Sequence, residues 1–431
     1  MSIAFSSCLA ILMVLAAIGM PIAMAMILSA IRYVLFAGQD LSLPAEQMVQ
    51  GLYDNFILLA VPLFIVAANI MNAGTISDRL LKFCVALVGR FRGGLGLVNV
   101  VANVIFAGMS GSAVADAAGL GKVIIEMMRK DGRYPAAYAA AITAAASTIG
   151  PIIPPSIPMV MYSLISGTSI GALFMGGVVP GLFMGVMLMG MNWYAAKKRG
   201  FGLDEPVPIT ELPKLTVNAF PALLMPAILL YGIYGGVTTP TEAAAVAAFY
   251  ALLLAVVFYR ALSWRGFYEI IRGSVMSSAS VGLVIGGALI FNYIVAAENI
   301  PTKMAVFIDA LHVGPLAFML VVNALVLLLG CLLDASTIIL VIVPLFIPAC
   351  HALGIDLVYF GVVIVVNCMI GLITPPYGIV LFVLNGITGI PLKDMIREIW
   401  VFVAVLVVAL LVLILVPELT LGLPCMMGYK G

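Results

Sequence analysis

Charge is what this chain has least of. Of 431 residues, 9% are Asp, Glu, Lys or Arg and 64% are hydrophobic, whereas a soluble domain carries roughly 25% charged residues. No charge occurs from Tyr134 to Ala196, and no Lys or Arg lies between Lys303 and Lys393. This scarcity excludes a water-soluble fold and points to an all-α polytopic membrane protein, with length for about ten spans. The net charge of +1 offers no basic surface, so nucleic acid is not an expected partner. The two histidines, His312 and His351, are isolated, and the six cysteines are scattered without a C-x-x-C. That excludes a disulfide framework and a metal centre of the His/Cys kind. No His/Glu or Ser/Lys constellation falls at one depth, so an intramembrane enzyme is not expected. No Lys or Arg precedes Arg32, which argues against a cleaved signal peptide. Met1–Phe36 is therefore expected to stay as a first membrane segment, either one long tilted helix or two pieces bent at Gly19 and Pro21.

Proline and glycine, by contrast, are present where a membrane helix tolerates them least. Ile149–Pro158 reads IGPIIPPSIP inside an apolar run. Each proline removes a backbone N–H and pushes the residue before it out of the α region. Loose polar backbone is tolerated at that depth only where protein buries it or a cavity meets it. The same interruption returns as GLITPPYG at Gly371–Gly378, 221 residues on from Pro154-Pro155 to Pro375-Pro376. A second pair of breaks, Gly108–Ser112 and Gly330–Asp334, is offset by 222. Paired interruptions at corresponding places are the mark of a transporter built from repeats.

The halves are expected to comprise residues 1–199 and 217–431, joined by a cytoplasmic linker at 200–216. Gln47–Ala73 reads as one span, and Ile76–Arg92 as an amphipathic interfacial helix. The first re-entrant hairpin is placed at 93–129 because its fifteen-residue apolar piece reaches about 22 Å, short of the roughly 30 Å hydrocarbon core. A discontinuous helix follows at 134–166. In the second half Trp264–Arg272 is read as a basic amphipathic patch, Ser274–Ala297 as a span and Asn299–His312 as an interfacial helix. A second hairpin at 316–352 and a discontinuous helix at 357–387 come next. With Ala37–Glu46 outside, 17 of the 20 Lys and Arg fall inside, in accord with the positive-inside rule. The first hairpin then enters from the cytoplasm and the second from outside, so the two halves are expected to be inverted-topology repeats.

At MSGSAVAD (Met109–Asp116), IGPIIPPSIPM (Ile149–Met159), NALVLLLGCLLD (Asn323–Asp334) and IGLITPPYG (Ile370–Gly378) the chain resembles the large membrane subunit of tripartite ATP-independent periplasmic (TRAP) transporters, over essentially its whole length. The resemblance implies an elevator-type transporter with scaffold and transport domains, in the bacterial inner membrane. It implies a periplasmic substrate-binding protein that delivers an organic anion, carried inward with sodium ions. It also implies a small four-helix membrane subunit, expected here as a separate chain because Met1 opens directly into a span. A self-sufficient sodium–carboxylate carrier of similar architecture is the alternative.

Sodium prefers oxygen ligands, and an unwound helix supplies free carbonyls. The candidate sodium-binding residues are Ser110, Ser112 and Gly150 in the first half and Gly330, Asp334, Thr374 and Pro375 in the second. Ser156 and Tyr377, each directly after a Pro-Pro pair, are the candidate substrate contacts. Asp334 is the one acid in its hairpin's membrane interior, and its alternative reading is a helix N-cap. Asp116 is read as a first-turn acid complementing the helix dipole. The position matching Thr374 in the first half is Ile153, so that site is expected to lean on carbonyls or on Ser147 and Thr148. Asp54 and Glu242 are assigned to span ends.

Overall fold

The computed structural model describes residues 2–72, 75–201, 208–300, 302–304, 306 and 314–430, and these form an all-helical protein. Residues 301, 305 and 307–312 of the interfacial helix expected at Asn299–His312, and residues 202–207 of the 200–216 linker, lie outside the described residues.

The first segment is a helical hairpin and not one span. Helix α1 (Ile3–Ala17) and α2 (Ile22–Phe36) are joined at Gly19, whose φ of 90° suits glycine alone. Their outer ends meet: the hydroxyls of Ser2 and of Tyr33 (3.2 Å) both donate to Glu298. The Ser2 hydroxyl, with Tyr33 behind it, holds the Glu298 carboxyl below its usual range. Each helix has 15 residues, about 22 Å, too short to cross alone.

The expected span 47–73 is also broken. Helices α3 (Leu43–Asp54) and α4 (Ala60–Met71), with a short 3₁₀ turn between, meet at 73°. The cause is local. Asn55 Nδ2 donates to the Gly51 carbonyl at 2.6 Å, taking the acceptor that the next helical N–H would use, and Pro62 has no N–H to bond Leu58. Helix α5 (Thr75–Val88) is amphipathic as expected: Ile76, Leu80, Leu81 and Cys84 are buried, while Arg79 stacks over the Tyr259 ring at 4.5 Å.

Both hairpins and both broken helices stand where the glycines and prolines place them. The first hairpin rises as α6 (Gly94–Ser110), turns at Gly111 (φ 61°), and returns as α7 (Ala113–Asp116), a π-helical turn (Ala117–Gly121) and α8 (Lys122–Arg129). Helices α9 (Ala136–Ser147) and α10 (Ile157–Ser166) flank the first break, and α11 (Ile170–Arg199) follows. In the second half come α12 (Leu212–Tyr234), α13 (Pro240–Leu253, continued by a π turn to Phe258) and α14 (Trp264–Ala297). The patch and span expected at 264–272 and 274–297 are thus one 34-residue helix, because Gly273 costs only about 1 kcal/mol in a helix interior. The second hairpin rises as α15 (Pro315–Gly330) and returns through α16 (Ala335–Thr337), a π turn (Ile338–Ile342) and α17 (Ile347–Ala352). Helices α18 (Leu357–Gly371) and α19 (Ile379–Thr388) flank the second break, followed by α20 (Leu392–Leu415) and α21 (Glu418–Met426). The π turns of the two hairpins stand 221 residues apart, as do the two Pro-Pro pairs, whose peptide bonds are both cis.

Among the described residues five helices are individually long and apolar enough to cross a membrane, or six counting the bent α3–α4 pair. The expectation of about ten spans differs because much of the apolar sequence is spent on hairpins and half-helices. Phe220, Val246, Phe249, Val275 and Met276, on α12 to α14, are exposed. A continuous apolar exterior of this kind needs hydrocarbon or another protein against it.

Candidate functional site

Each hairpin tip closes on the break of its own half. In the first half, a methyl on Gly111 would lie 2.5 Å from the Pro155 carbonyl oxygen, and one on Gly150 would lie 2.2 Å from Asp116 Oδ2. In the second, a methyl on Gly371 would lie 2.7 Å from the Gly330 Cα, so backbone meets backbone. The halves also interlock. Tyr162 of α10 lays its ring on Gly361 of α18 and donates to the Leu357 carbonyl at 2.8 Å. Helix α10 packs on the π turn of the second hairpin, and α19 packs on the π turn of the first.

The breaks are built from freed carbonyls. After α9, Thr148, Ile149 and Gly150 make tight turns to Ala145, Ala146 and Ser147, and no turn or loop N–H among the described residues is bonded to the Thr148 or Gly150 carbonyl. Protein buries this stretch on all sides, residues 148–156 being inaccessible. A methyl on Gly177 of α11 would sit 2.3 Å from the Ile152 carbonyl, so only a glycine face lets α11 cover the break. The second break is more open: Thr374 is buried, Pro375 half-buried and Tyr377 exposed with its ring 5.3 Å from Phe382.

Around the first tip, Ser110 is buried and Ser112 half-buried. Ser112 is an N-cap, accepting from the Ala115 N–H at 3.4 Å. Ser147 and Thr148, the other hydroxyls at that break, donate back to the Ala144 and Ala145 carbonyls at 2.9 and 2.7 Å, which leaves their lone pairs free. Ser156 is fully buried; it caps α10 by accepting from Met159 N–H at 3.2 Å and donates to the Pro151 carbonyl. At the second tip Asp334 is also an N-cap. Its Oδ2 accepts from the Ser336 and Thr337 N–H groups at 3.0 and 3.2 Å, and its Oδ1 accepts from the Thr337 hydroxyl. Thr374 donates to the Ile370 carbonyl at 2.7 Å. The structure thus sets the first tip, with Ser110 and Ser112, against the break that holds Gly150, and the second tip, with Gly330 and Asp334, against the break that holds Thr374 and Pro375 through the Gly330–Gly371 contact.

One residue of the first group was undervalued from sequence. Asp116 does lie in a first turn, but it is completely buried, and neither carboxylate oxygen has a hydrogen-bond partner. Asp54 is exposed, and Glu242 forms a capping box with Thr239, which fits their assignment to helix ends.

Residues 9–419 match the family model described as "Tripartite ATP-independent periplasmic transporter, DctM component". The chain belongs to that family. It is a multi-pass membrane protein and a TRAP large permease. Among curated TRAP proteins it is similar to the sialic acid TRAP transporter large permease of Vibrio cholerae, 40% identical over 95% of this chain and 96% of that one. It is 36% identical to the 2,3-diketo-L-gulonate TRAP transporter large permease of Escherichia coli, over 94% of this chain and 95% of that one. An isethionate TRAP transporter permease of Oleidesulfovibrio alaskensis, named DctMQ, is 37% identical over 93% of this chain but only 63% of its own length. In fold, the chain resembles the crystal structure of the Alcanivorax borkumensis YdaH transporter, with a TM-score of 0.63, 16% identity and coverage of 87% and 88% of the two chains.

Proposed function

We propose that this TRAP large permease carries a small organic acid inward across the bacterial inner membrane, coupled to sodium, after a periplasmic binding protein delivers it. The observation that carries the reading is the pairing of each hairpin tip with a break lined by oxygen-bearing side chains, with the Thr148 and Gly150 carbonyls free of turn and loop N–H groups at the first. Such a setting suits a hard monovalent cation, while half-helix N-termini suit an anion. The substrates named for the relatives are sialic acid, 2,3-diketo-L-gulonate and isethionate, all of them organic anions, and C4-dicarboxylate relatives are similar at 37% identity. A separate small membrane subunit is supported by coverage: the chain spans nearly all of the large permeases but not the DctMQ protein.

The mechanism proposed is an elevator. Residues 1–199 and 217–431 act as inverted repeats linked through 200–216. The hairpins and broken helices form the moving unit, and α1–α4 with α12–α14 form the scaffold. Support for the repeats comes from the common offset of the tips, breaks and π turns, and from reciprocal packing: α4 lies on α13 and α2 on α14, pairs that exchange under that offset.

Two outcomes are expected. In proteoliposomes holding this chain and its small subunit, with binding protein supplied, uptake requires an inward sodium gradient. Full uptake under a proton gradient alone would refute the coupling, and uptake without binding protein would favour the self-sufficient carrier. For topology, a cysteine at exposed Asn299 should react with an impermeant thiol reagent from the periplasm, and one at exposed Lys214 should not. The reverse pattern would overturn the inverted arrangement.

A further inference from the structure

The two hairpins return from their tips by the same local route with two side chains exchanged. In the second half the N-cap is a carboxylate, Asp334, and the last residue before the π turn is a hydroxyl, Thr337. In the first half the N-cap is a hydroxyl, Ser112, and the last residue before the π turn is a carboxylate, Asp116. At these two positions, the cap and the last residue before the π turn, each half thus has a hydroxyl and a carboxylate, in opposite order. In the second half the pair is mutually satisfied, because Thr337 donates to Asp334. In the first half it is not: Asp116 is fully buried, both its oxygens lack a partner, and no ion pair to it exists among the described residues. Lys122, the nearest cation in sequence, is exposed.

A buried carboxylate without a hydrogen bond of normal geometry is costly, and proteins tolerate one where a cation meets it. The surroundings supply the rest of an oxygen shell. Asp116 Oδ2 lies against Gly150, where a methyl would be 2.2 Å from it. The Ser110 hydroxyl is near enough to act on it as a donor, though outside normal hydrogen-bond geometry, and the Thr148 and Gly150 carbonyls take no turn or loop N–H. We propose that Asp116 is the anionic ligand of the first cation site, holding sodium together with Ser110 and the carbonyls at the Gly150 break. This rests on the sodium-coupled reading above. It accounts for the transposition: each tip carries one negative charge for its ion, at the cap in one half and a turn further on in the other. It also gives Gly150 a specific task, since any side chain there would collide with the carboxylate.

The test uses the purified full chain with its small subunit in detergent. Its thermal unfolding midpoint is followed against sodium chloride, with choline chloride holding ionic strength constant. Wild type, Asp116→Asn and Asp334→Asn are compared. Asparagine keeps the size of aspartate and removes the charge. In choline, Asp116→Asn should be at least as stable as wild type, because an unmatched buried charge has gone. As sodium is added its midpoint should rise less, and half-saturation should need roughly tenfold more sodium or beyond, the equivalent of about 1.4 kcal/mol. A purely structural aspartate would give the opposite pattern, a lower midpoint in choline with an unchanged sodium response. Either that pattern or a curve superimposable on wild type overturns the assignment. If Asp116→Asn does not fold, Gly150→Ala decides, since its methyl displaces the carboxylate: an unchanged sodium response there also overturns it. Wild type that ignores sodium altogether would sink the coupling itself. A sodium response lost in Asp334→Asn but kept in Asp116→Asn would sink only the role of Asp116.

Discussion

Asp334→Asn is expected to insert, fold and assemble as wild type does, and to need roughly 10- to 100-fold more sodium for half-maximal uptake. The first half of that statement follows from its hydrogen bonds. Asp334 caps α16 by accepting two backbone N–H groups and the Thr337 hydroxyl, and asparagine is about as good an N-cap as aspartate. The second half follows from charge. No Lys or Arg lies between Lys303 and Lys393, so no sequence neighbour neutralises the carboxylate, and a full negative charge is what a bare sodium ion would lose. Charge-assisted contacts are worth about 1.5–3 kcal/mol, which gives the range above at 1.4 kcal/mol per decade. A sodium titration of uptake at matched expression measures it. Superimposable curves would reduce Asp334 to a cap.

Gly371→Ala is expected to reduce uptake by roughly tenfold or more while the protein still reaches the membrane. Its methyl would lie 2.7, 2.8 and 2.9 Å from the Cα, carbonyl carbon and carbonyl oxygen of Gly330. Backbone cannot rotate aside as a side chain can, so the tip must move off the break. Overpacking of this kind costs about 1–3 kcal/mol, and here the cost falls on the tip–break contact that gathers Asp334 and Thr374. Gly386→Ala, in α19 with open space around it, is the control. Equal transport by the two variants would show that the tip does not need to touch the break.

How far sequence reaches into this fold depends on what punctuates each segment. The helix breaks at Gly111, Pro154-Pro155, residues 331–334 and Pro375-Pro376 were legible because glycine and proline interrupt apolar runs there, and a membrane leaves the chain few ways to accommodate such interruptions. The Asn55 bend was not legible, since Pro62 alone does not mark a break there and the side-chain hydrogen bond from Asn55 to Gly51 completes it. The α1–α2 hairpin was half legible: Gly19 and Pro21 marked the turn, but the convergence of Ser2 and Tyr33 on Glu298, 296 and 265 residues away in sequence, was not. Asp116 shows the limit at the site. From sequence it is an acid in the first turn of a helix, the commonest place for one; only burial and the lack of a well-formed hydrogen bond distinguish it. Aligned on their caps the halves do not pair the two side chains, since Asp116 is the fourth residue after Ser112 and Thr337 the third after Asp334; the exchange shows only when both are counted back from the π turns.

The seam between the first hairpin and α12 has a mechanical consequence. A methyl on Gly108 would sit 2.4 Å from the ring of Pro226, so the rising helix lies flush against a proline. That residue, inside α12, has no N–H to offer. The side chains of α12 and α6 exchange no hydrogen bond among the described residues, and α12 spends its Pro221 and Asn218 carbonyls on Tyr250 and Tyr259 instead. A surface of this sort acts as a bearing. It resists being pulled apart, because close-packed atoms lose dispersion contacts, yet it has no teeth: a displacement along it trades one set of such contacts for another and breaks no directed bond.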